Sequence, residues 1–176
     1  LLKKFDFLTR DQINQYFGLG AKSNTNRILN NLSDYLHSFR DGYQTIYYLS
    51  ALGREYVECD KVRKKTNQVQ HVILRNQVWL HYKCPKDWRN EVKISDGKTT
   101  VIADAVFKLN GFIHFLEVDR LQSMKENRKK IERYKALMDS LQRQFFYYPT
   151  VVWVTTTEHR RKQLEKACDG LKTIIL

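Results

Sequence analysis

Three acidic residues lie on two neighbouring predicted strands. The stretch TTVIADAVFKLNGFIHFLEVDR carries Asp104, Glu117 and Asp119 on either side of an Asn-Gly pair. Asn-Gly is a strong signal for a two-residue β-turn, because both residues tolerate the positive φ that a type I′ turn requires. The sequence therefore predicts a hairpin that brings carboxylates together, and clustered carboxylates are the side chains that bind divalent metal ions.

The turn determines how these acids face one another. If Asn110 and Gly111 are the two loop residues, Asp104 faces Glu117 directly, and Asp119 lies on the same face one pleat further along. Like charges opposite one another destabilise a sheet by roughly 0.2–1 kcal/mol at a hydrated site and by more at a dry one. We therefore expect compensation by a bound cation, by basic neighbours or by a raised pKa on one acid.

Charge is distributed unevenly along the 176 residues, whose formal net charge is +12. Residues 1–60 contain seven bases and seven acids, whereas residues 61–176 contain 24 bases and 12 acids. The excess indicates a polyanionic partner, most often nucleic acid, although a solubilising surface has the same composition. Because the sequence contains no membrane-spanning apolar run, no signal peptide and only the scattered cysteines Cys59, Cys84 and Cys168, we expect a cytoplasmic protein.

Residues 1–60 predict a small DNA-binding module. Apolar spacing predicts helices over residues 10–17 and 24–36, separated by two glycines. A hairpin around Asp41-Gly42 and a short helix follow. This order is typical of a winged helix-turn-helix, and the alternative is a small helical module that docks on another domain.

The second predicted helix carries short polar donors and two bases without a single acid. This composition suits a helix that reads the major groove of double-stranded DNA. The residues predicted to contact DNA are Lys22, Ser23, Asn24, Asn26, Arg27 and Asn30, joined by Arg40 of the hairpin.

Residues 61–68 are basic and poor in apolar side chains, which predicts a linker, and residues 69–176 predict a second domain. Its expected order is a helix, three strands, a long helix, a strand, a helix and a strand. No glycine-rich phosphate loop is present. We expect a mixed sheet flanked by helices, which makes the whole chain an α+β protein.

The long helix of this second domain has two different faces. Apolar residues recur with core spacing at Ile131, Tyr134, Met138 and Leu141. Bases project from the other face, at Lys125, Lys129 and Arg133. We expect this basic face to contact the phosphate backbone of DNA.

The element order and the acids of the second domain resemble the PD-(D/E)XK nuclease-like fold. In that family an acid on the second strand and a Glu-x-Lys element on the third hold Mg²⁺, and the lysine steadies the attacking water. The matching residues are Asp104, Glu117 and, where the lysine is expected, Asp119. In an active enzyme the resemblance implies a Mg²⁺ or Mn²⁺ site made by these three acids. The long helix would then supply the missing cation, from Lys135 or alternatively from Lys125, Arg128 or Lys129.

Together with the predicted winged helix, the sequence resembles the replication-relaxation family of plasmids and conjugative elements. The family's Asp-Ala, Glu-x-Asp-Arg and helical tyrosine are matched by Asp104-Ala105, by Glu117 to Arg120 and by Tyr134. The resemblance implies a DNA-binding accessory protein in plasmid replication or relaxation. Because the lysine is missing, we expect the acids to form an inactive cluster, ion-paired with Arg120 and the helix bases, and the alternative is a cluster that binds a metal ion without cleaving DNA. Two alternatives stay open, namely a Mg²⁺-dependent DNA endonuclease and an interaction module that recruits a relaxase, a helicase or a replication initiator.

Overall fold

The computed structural model describes all 176 residues, and the chain divides into two compact units, Leu1–His81 and Tyr82–Leu176. Seven helices and two separate sheets make up the units, which confirms the α+β class. None of the helices combines the length and the apolar character needed to cross a bilayer.

The first unit contains five helices and a three-stranded antiparallel sheet of order β1-β3-β2. Thr9 begins the second helix with a capping box, because its side chain accepts from the Gln12 backbone N–H and the Gln12 side chain accepts from the Thr9 backbone N–H. In chain order the elements are α1 (Leu2–Phe5), β1 (Leu8–Thr9), α2 (Arg10–Phe17), α3 (Lys22–Asn30), β2 (Leu36–Asp41), β3 (Gln44–Leu49), α4 (Ala51–Tyr56) and α5 (Val69–His81).

Two boundaries in this unit differ from the prediction. Helix α3 ends at Asn30, and Leu36, which was expected in the same helix, begins β2 instead. Asp41 pairs with Gln44, so the hairpin loop lies one residue beyond the predicted Asp41-Gly42 pair. In both places the apolar spacing of a helix and that of a short strand overlap over a few residues, and cross-strand pairing decides between them.

The predicted domain boundary at residues 61–68 differs from the division observed. The sequence predicts α5 as the first helix of the second domain, but α5 belongs to the first unit. The Asn76 side-chain amide donates to the carbonyls of Phe5 at 2.9 Å and Phe7 at 2.8 Å, and the rings of Phe5 and Trp79 lie 4.2 Å apart. These buried contacts tie α5 to the start of the chain.

The second unit is a five-stranded mixed sheet of order β4-β5-β6-β7-β8 with two helices. Strands β4, β5 and β6 are antiparallel, whereas β6, β7 and β8 run parallel. The elements are β4 (Arg89–Ser95), β5 (Thr100–Leu109), β6 (Phe112–Asp119), α6 (Met124–Phe145), β7 (Thr150–Thr155), α7 (Glu158–Ala167) and β8 (Thr173–Ile175).

The inward face of α6 is the one that the sequence predicts. Ile131 and Tyr134 are fully buried, and Met138 and Leu141 are nearly so. They form one core with residues of β5, β6, β7 and α7, including Leu164 of α7. Helices α6 and α7 therefore cover the face of the sheet towards which the acids point.

Candidate functional site

The register of the acidic hairpin is confirmed. Five Cα pairs join β5 and β6, from Leu109 with Phe112 at the turn to Ala105 with Leu116. Asn110 and Gly111 both have positive φ, at 50° and 84°. The Asn-Gly turn therefore sets the register that places the acids on one face.

Regular pairing stops one step before the acids. The regular β5–β6 register runs from the turn to Ala105 with Leu116, and Glu91, which lies between the paired residues Asn90 and Val92 of β4, has φ 53°. The carboxylate of Asp104 accepts a hydrogen bond from the backbone N–H of Val118, at 2.7 Å. The side chain of Asp104 is thereby drawn onto the backbone of β6, beside Glu117.

Glu117 is buried and is bound by two residues of α6. Its side chain is only 2% exposed. The Tyr134 hydroxyl donates to Glu117 Oε1 at 2.6 Å, and the Lys130 ammonium donates to Oε2. Since Lys130 and Tyr134 are four residues apart, one turn of the helix presents both donors to the same carboxylate.

Burial raises the pKa of Glu117 from its usual 4.5 to about 8. The positive charge of Lys130 and the hydrogen bonds from Lys130 and Tyr134 act in the opposite direction, whereas the negative charge of Asp104 also raises the pKa. Burial and the adjacent carboxylate likewise raise the pKa of Tyr134, which keeps its phenol as the donor. The predicted compensation thus combines a basic neighbour with a raised pKa on one acid.

Asp119 is completely buried and its charge is satisfied within the protein. Arg160 of α7 binds it with two nitrogens, Nε to Oδ2 at 2.7 Å and Nη2 to Oδ1 at 2.6 Å. The Asn127 amide donates to Oδ1 at 2.8 Å, and the Thr155 hydroxyl donates to Oδ2 at 3.3 Å. Arg160 also donates to the carbonyl of Gln122 at 2.6 Å. The cluster joins the ends of β6 and β7 to the first turns of both helices.

These side chains do not fit the Mg²⁺ or Mn²⁺ site that the nuclease resemblance implies. No group of three or more His, Cys, Asp or Glu residues is arranged to hold a metal ion. A cation at Asp119 would have to displace the bidentate guanidinium of Arg160, and one at Glu117 would have to displace Lys130. Two of the three acids, Glu117 and Asp119, are therefore already bound by cationic side chains of the protein itself.

The cations that bind the acids match the prediction in part, because Lys130 is a base of the long helix whereas Arg160 of α7 was not among the predicted residues. Lys135, expected to replace the missing lysine, pairs with Glu132 at 3.2 Å on the surface of α6. No ion pair joins Arg120 to the cluster; Arg160 occupies that role. Helical spacing gives a partial sequence signal: Lys130 precedes the buried Tyr134 by four residues and Arg160 precedes the buried Leu164 by four, which places each on the inward side of its helix without indicating the acid that it binds.

The predicted DNA-contacting residues of α3 fall into two groups. Lys22, Ser23, Arg27 and Asn30 are exposed, whereas Asn24 and Asn26 are half-buried. The Asn24 amide donates to the carbonyl of Leu19 at 2.9 Å, and its carbonyl accepts from Arg27 Nη2 at 2.8 Å. Asn24 therefore links the guanidinium of Arg27 to the backbone at Leu19.

The remaining predicted contacts are all on the surface of their units. Arg40 is exposed on β2, and Lys125, Lys129 and Arg133 are exposed on α6. Lys129 is paired with Glu126 at 2.9 Å. The outward position expected for these bases is therefore the one observed.

Comparison with known families identifies the chain. The sequence model of the family described as replication-relaxation matches residues 1–146. The chain belongs to the replication-relaxation family. The matched range includes α3, the acidic hairpin and the whole of α6, so the residues described above lie within the part shared with this family, except for β7, α7 and Arg160.

Comparison with curated proteins finds no match. Among solved structures, similarity is found to protein VC1899 from Vibrio cholerae (14% identity, TM-score 0.38, 89% of this chain and 40% of that one). Similarity is also found to a repair endonuclease from Pyrococcus abyssi (18% identity, TM-score 0.35, 80% of this chain and 61% of that one). A third similar structure is Can2 from Sulfobacillus thermosulfidooxidans in complex with cyclic tetra-adenylate (12% identity, TM-score 0.34, 98% of this chain and 54% of that one). The chain thus spans between two fifths and about three fifths of the length of these structures.

Proposed function

We propose that this chain binds double-stranded DNA in the replication or relaxation of plasmids and mobile elements. Membership of the replication-relaxation family supports a role in such replication. The observation that carries the DNA-binding proposal is the exposed face of α3, where Lys22, Ser23, Arg27 and Asn30 project without an acid among them. Short donors and bases on one helical face match the hydrogen-bonding pattern of the major groove.

The arrangement of the first unit supports this reading. Helices α2 and α3 are followed by the β2–β3 hairpin, which is the order of a winged helix-turn-helix. In such modules the second helix enters the major groove, and the hairpin lies beside it as a wing. The exposed Arg40 on β2 then lies where a wing contacts phosphate.

Arg27 is the residue of α3 that we expect to distinguish bases. A guanidinium binds guanine through two parallel hydrogen bonds, and each such pair contributes about 1–3 kcal/mol of discrimination. The contact from Arg27 to Asn24 and the contact from Asn24 to the Leu19 carbonyl restrict the rotamers of this arginine before DNA is bound. Asn24 is therefore proposed as a positioning residue.

Arg27→Ala should weaken binding to a preferred duplex by roughly 5- to 150-fold, the equivalent of about 1–3 kcal/mol. The duplex is obtained by selecting from a randomised pool with the parent protein, and affinity is measured by fluorescence anisotropy. Arg143→Ala, which removes an exposed arginine near the end of α6, is the matched control and should change affinity less than twofold. Equal losses in both variants would contradict the assignment of α3 as the reading helix. A parent protein that enriches no duplex would overturn DNA binding and favour recruitment of a relaxase, helicase or initiator.

We further propose that the second unit retains a nuclease-like arrangement without cleaving DNA. Phosphodiester cleavage develops negative charge on the phosphoryl oxygens, and this charge needs a nearby cation. Both cations closest to the acids, Lys130 and Arg160, already donate hydrogen bonds to the side chains of Glu117 and Asp119. For this unit to act as an endonuclease, Lys130 or Arg160 would have to leave its acidic partner and contact the phosphate.

Purified protein should therefore leave supercoiled plasmid intact in the presence of Mg²⁺ or Mn²⁺, as followed by agarose electrophoresis. Glu117→Ala and Asp104→Ala preparations serve as controls for contaminating nucleases. Nicking that appears with the parent and is lost in both variants would overturn the inactive-site proposal. Nicking at an equal rate in all three preparations identifies a contaminating nuclease. Purification is then repeated until the two variants no longer nick the plasmid, and the parent is tested again.

A further inference from the structure

A basic cleft lies between the β4–β5 hairpin and the first half of α6. Its volume is about 750 Å³, and four of its lining residues are cations: Lys98, Lys129, Lys130 and Arg133. Lys98 comes from the hairpin, and the other three come from the helix. Positive charge therefore lines both walls of the cleft, within a volume typical of ligand sites.

Little of this charge is compensated inside the cleft. Glu126 is the only acid among the lining residues, and it pairs with Lys129. Lys130 is bound to the buried Glu117, but Lys98 and Arg133 form no ion pair. Like charges that converge on a concave surface repel one another and concentrate anions there. The arrangement therefore favours an anionic ligand.

The other lining groups indicate what kind of anion fits. Thr99, Thr100 and Gln122 supply neutral hydrogen-bond donors, the side-chain types that accompany bases at phosphate contacts. Val101 also lines the cleft, from the face of β5 that packs in one core with residues of α6. Cations on both walls beside an apolar floor suit a ligand in which phosphate alternates with sugar and base.

We propose that this cleft binds the phosphodiester backbone of a single nucleic-acid strand, as a second site separate from α3. Lys98 and Arg133 contact phosphates from opposite walls of the cleft. The inference deepens the proposed DNA-binding function and rests on it. The basic face of α6 provides only one wall of the cleft. The β4–β5 hairpin adds a second wall with Lys98, Thr99 and Thr100.

The test uses the full chain and a fluorescein-labelled oligothymidylate, with anisotropy measured at low and physiological salt. Lys98→Glu and Arg133→Glu should each weaken binding about tenfold and reduce the dependence of affinity on salt by about one phosphate contact. Lys166→Glu is the matched control, because it reverses an equally exposed charge on α7, outside the cleft. It should change affinity less than threefold. Circular dichroism checks that all three variants are folded.

Further arms separate this site from α3 and from a site for small anions. Arg27→Ala should bind the oligonucleotide as the parent does, while its affinity for the selected duplex falls as stated above. If the parent binds the selected duplex and the cleft variants bind the oligonucleotide as tightly as the parent does, the cleft proposal is overturned and the proposed function stands. Displacement of the oligonucleotide by equimolar inorganic phosphate or thymidine monophosphate would also overturn it, because the cleft would then hold one phosphate and not a strand.

Discussion

Arg160→Ala should lower the free energy of unfolding of the second unit by about 3–5 kcal/mol, the range observed when one partner of a buried ion pair is removed. The substitution leaves the carboxylate of Asp119 fully buried with only the Asn127 amide and the Thr155 hydroxyl as donors. Two neutral hydrogen bonds do not replace a bidentate guanidinium, since charge-assisted hydrogen bonds are roughly twice as strong as neutral ones. We expect β6 and both helix starts to loosen together.

The reverse substitution should be milder. Asp119→Ala removes the buried charge itself, and Arg160, whose side chain is 23% exposed, can turn its guanidinium towards water. The remaining loss is the hydrogen bonding of Asn127 and Thr155, at about 1–3 kcal/mol for buried groups left without a partner. The double variant should therefore be more stable than Arg160→Ala alone, and this coupling distinguishes an ion pair from two independent contacts.

The neighbouring arginine provides the control. Arg161 also forms short ion pairs, with Glu158 at 2.8 Å and Glu165 at 2.5 Å, but these groups are well exposed. Arg161→Ala should therefore change stability by less than about 1 kcal/mol. Hydrogen exchange of the β6 and β7 amides reports on the second unit specifically. Equal effects of Arg160→Ala and Arg161→Ala would show that Asp119 does not depend on its buried partner.

The part of the candidate site that sequence predicts is the part governed by local geometry. An Asn-Gly turn and the two-residue period of a strand place Asp104 and Glu117 on one face, and the structure keeps that register as far as Ala105. The inward spacing along α6 likewise predicts that Tyr134 is buried. These inferences need only backbone geometry over a few residues.

The cations were not predictable in the same way. Arg120, adjacent in sequence to Asp119, was expected to compensate it, yet Arg160 does so from 41 residues away. Successive strand residues point to opposite faces, so the residue after an acid is poorly placed to bind it. Proximity across the fold depends on how α7 packs on the sheet, which no single local pattern specifies.

The position of α5 was missed for a different reason. Its buried residues include Ile73, Asn76 and Trp79, together with Arg75, so they do not mark one narrow apolar stripe. A helix buried over much of its circumference gives no periodic signal for the partner on which it packs. The basic run that precedes α5 is therefore a connection within the first unit and not a boundary between the units.

Glu117→Gln should make the second unit less sensitive to pH. In the folded protein the pKa of Glu117 is raised from 4.5 to about 8, so between these values the folded state holds a proton that the unfolded state has released. The stability due to this proton is fully present below pH 4.5 and is lost as the pH rises through about 8. The parent should therefore lose up to about 1.4 kcal/mol of unfolding free energy per pH unit within this window.

The glutamine variant has no proton to lose, so its stability relative to the parent should rise from pH 5 to pH 8 and then level off. Hydrogen exchange of the β6 amides at several pH values measures this difference, and the carboxyl carbon resonance of Glu117 measures its pKa directly. Parallel pH profiles for parent and variant would show that Glu117 titrates in its ordinary range.

Lys130→Met tests how far Lys130 lowers the pKa of Glu117. The charge and hydrogen bond of Lys130 lower the pKa of Glu117, so their removal should raise that pKa above about 8 and keep the carboxyl protonated over a wider range. Lys125→Met, which removes an exposed lysine of the same helix that forms no ion pair, should leave the pKa of Glu117 unchanged.

Since Lys130 also lines the basic cleft, a protonated Glu117 leaves the lysine charge uncompensated and available to phosphate, whereas an ionised Glu117 neutralises it. Oligonucleotide affinity of the parent should therefore fall as the pH rises through about 8, and that fall should disappear in Glu117→Gln. A fall that persists in this variant would place the titrating group elsewhere.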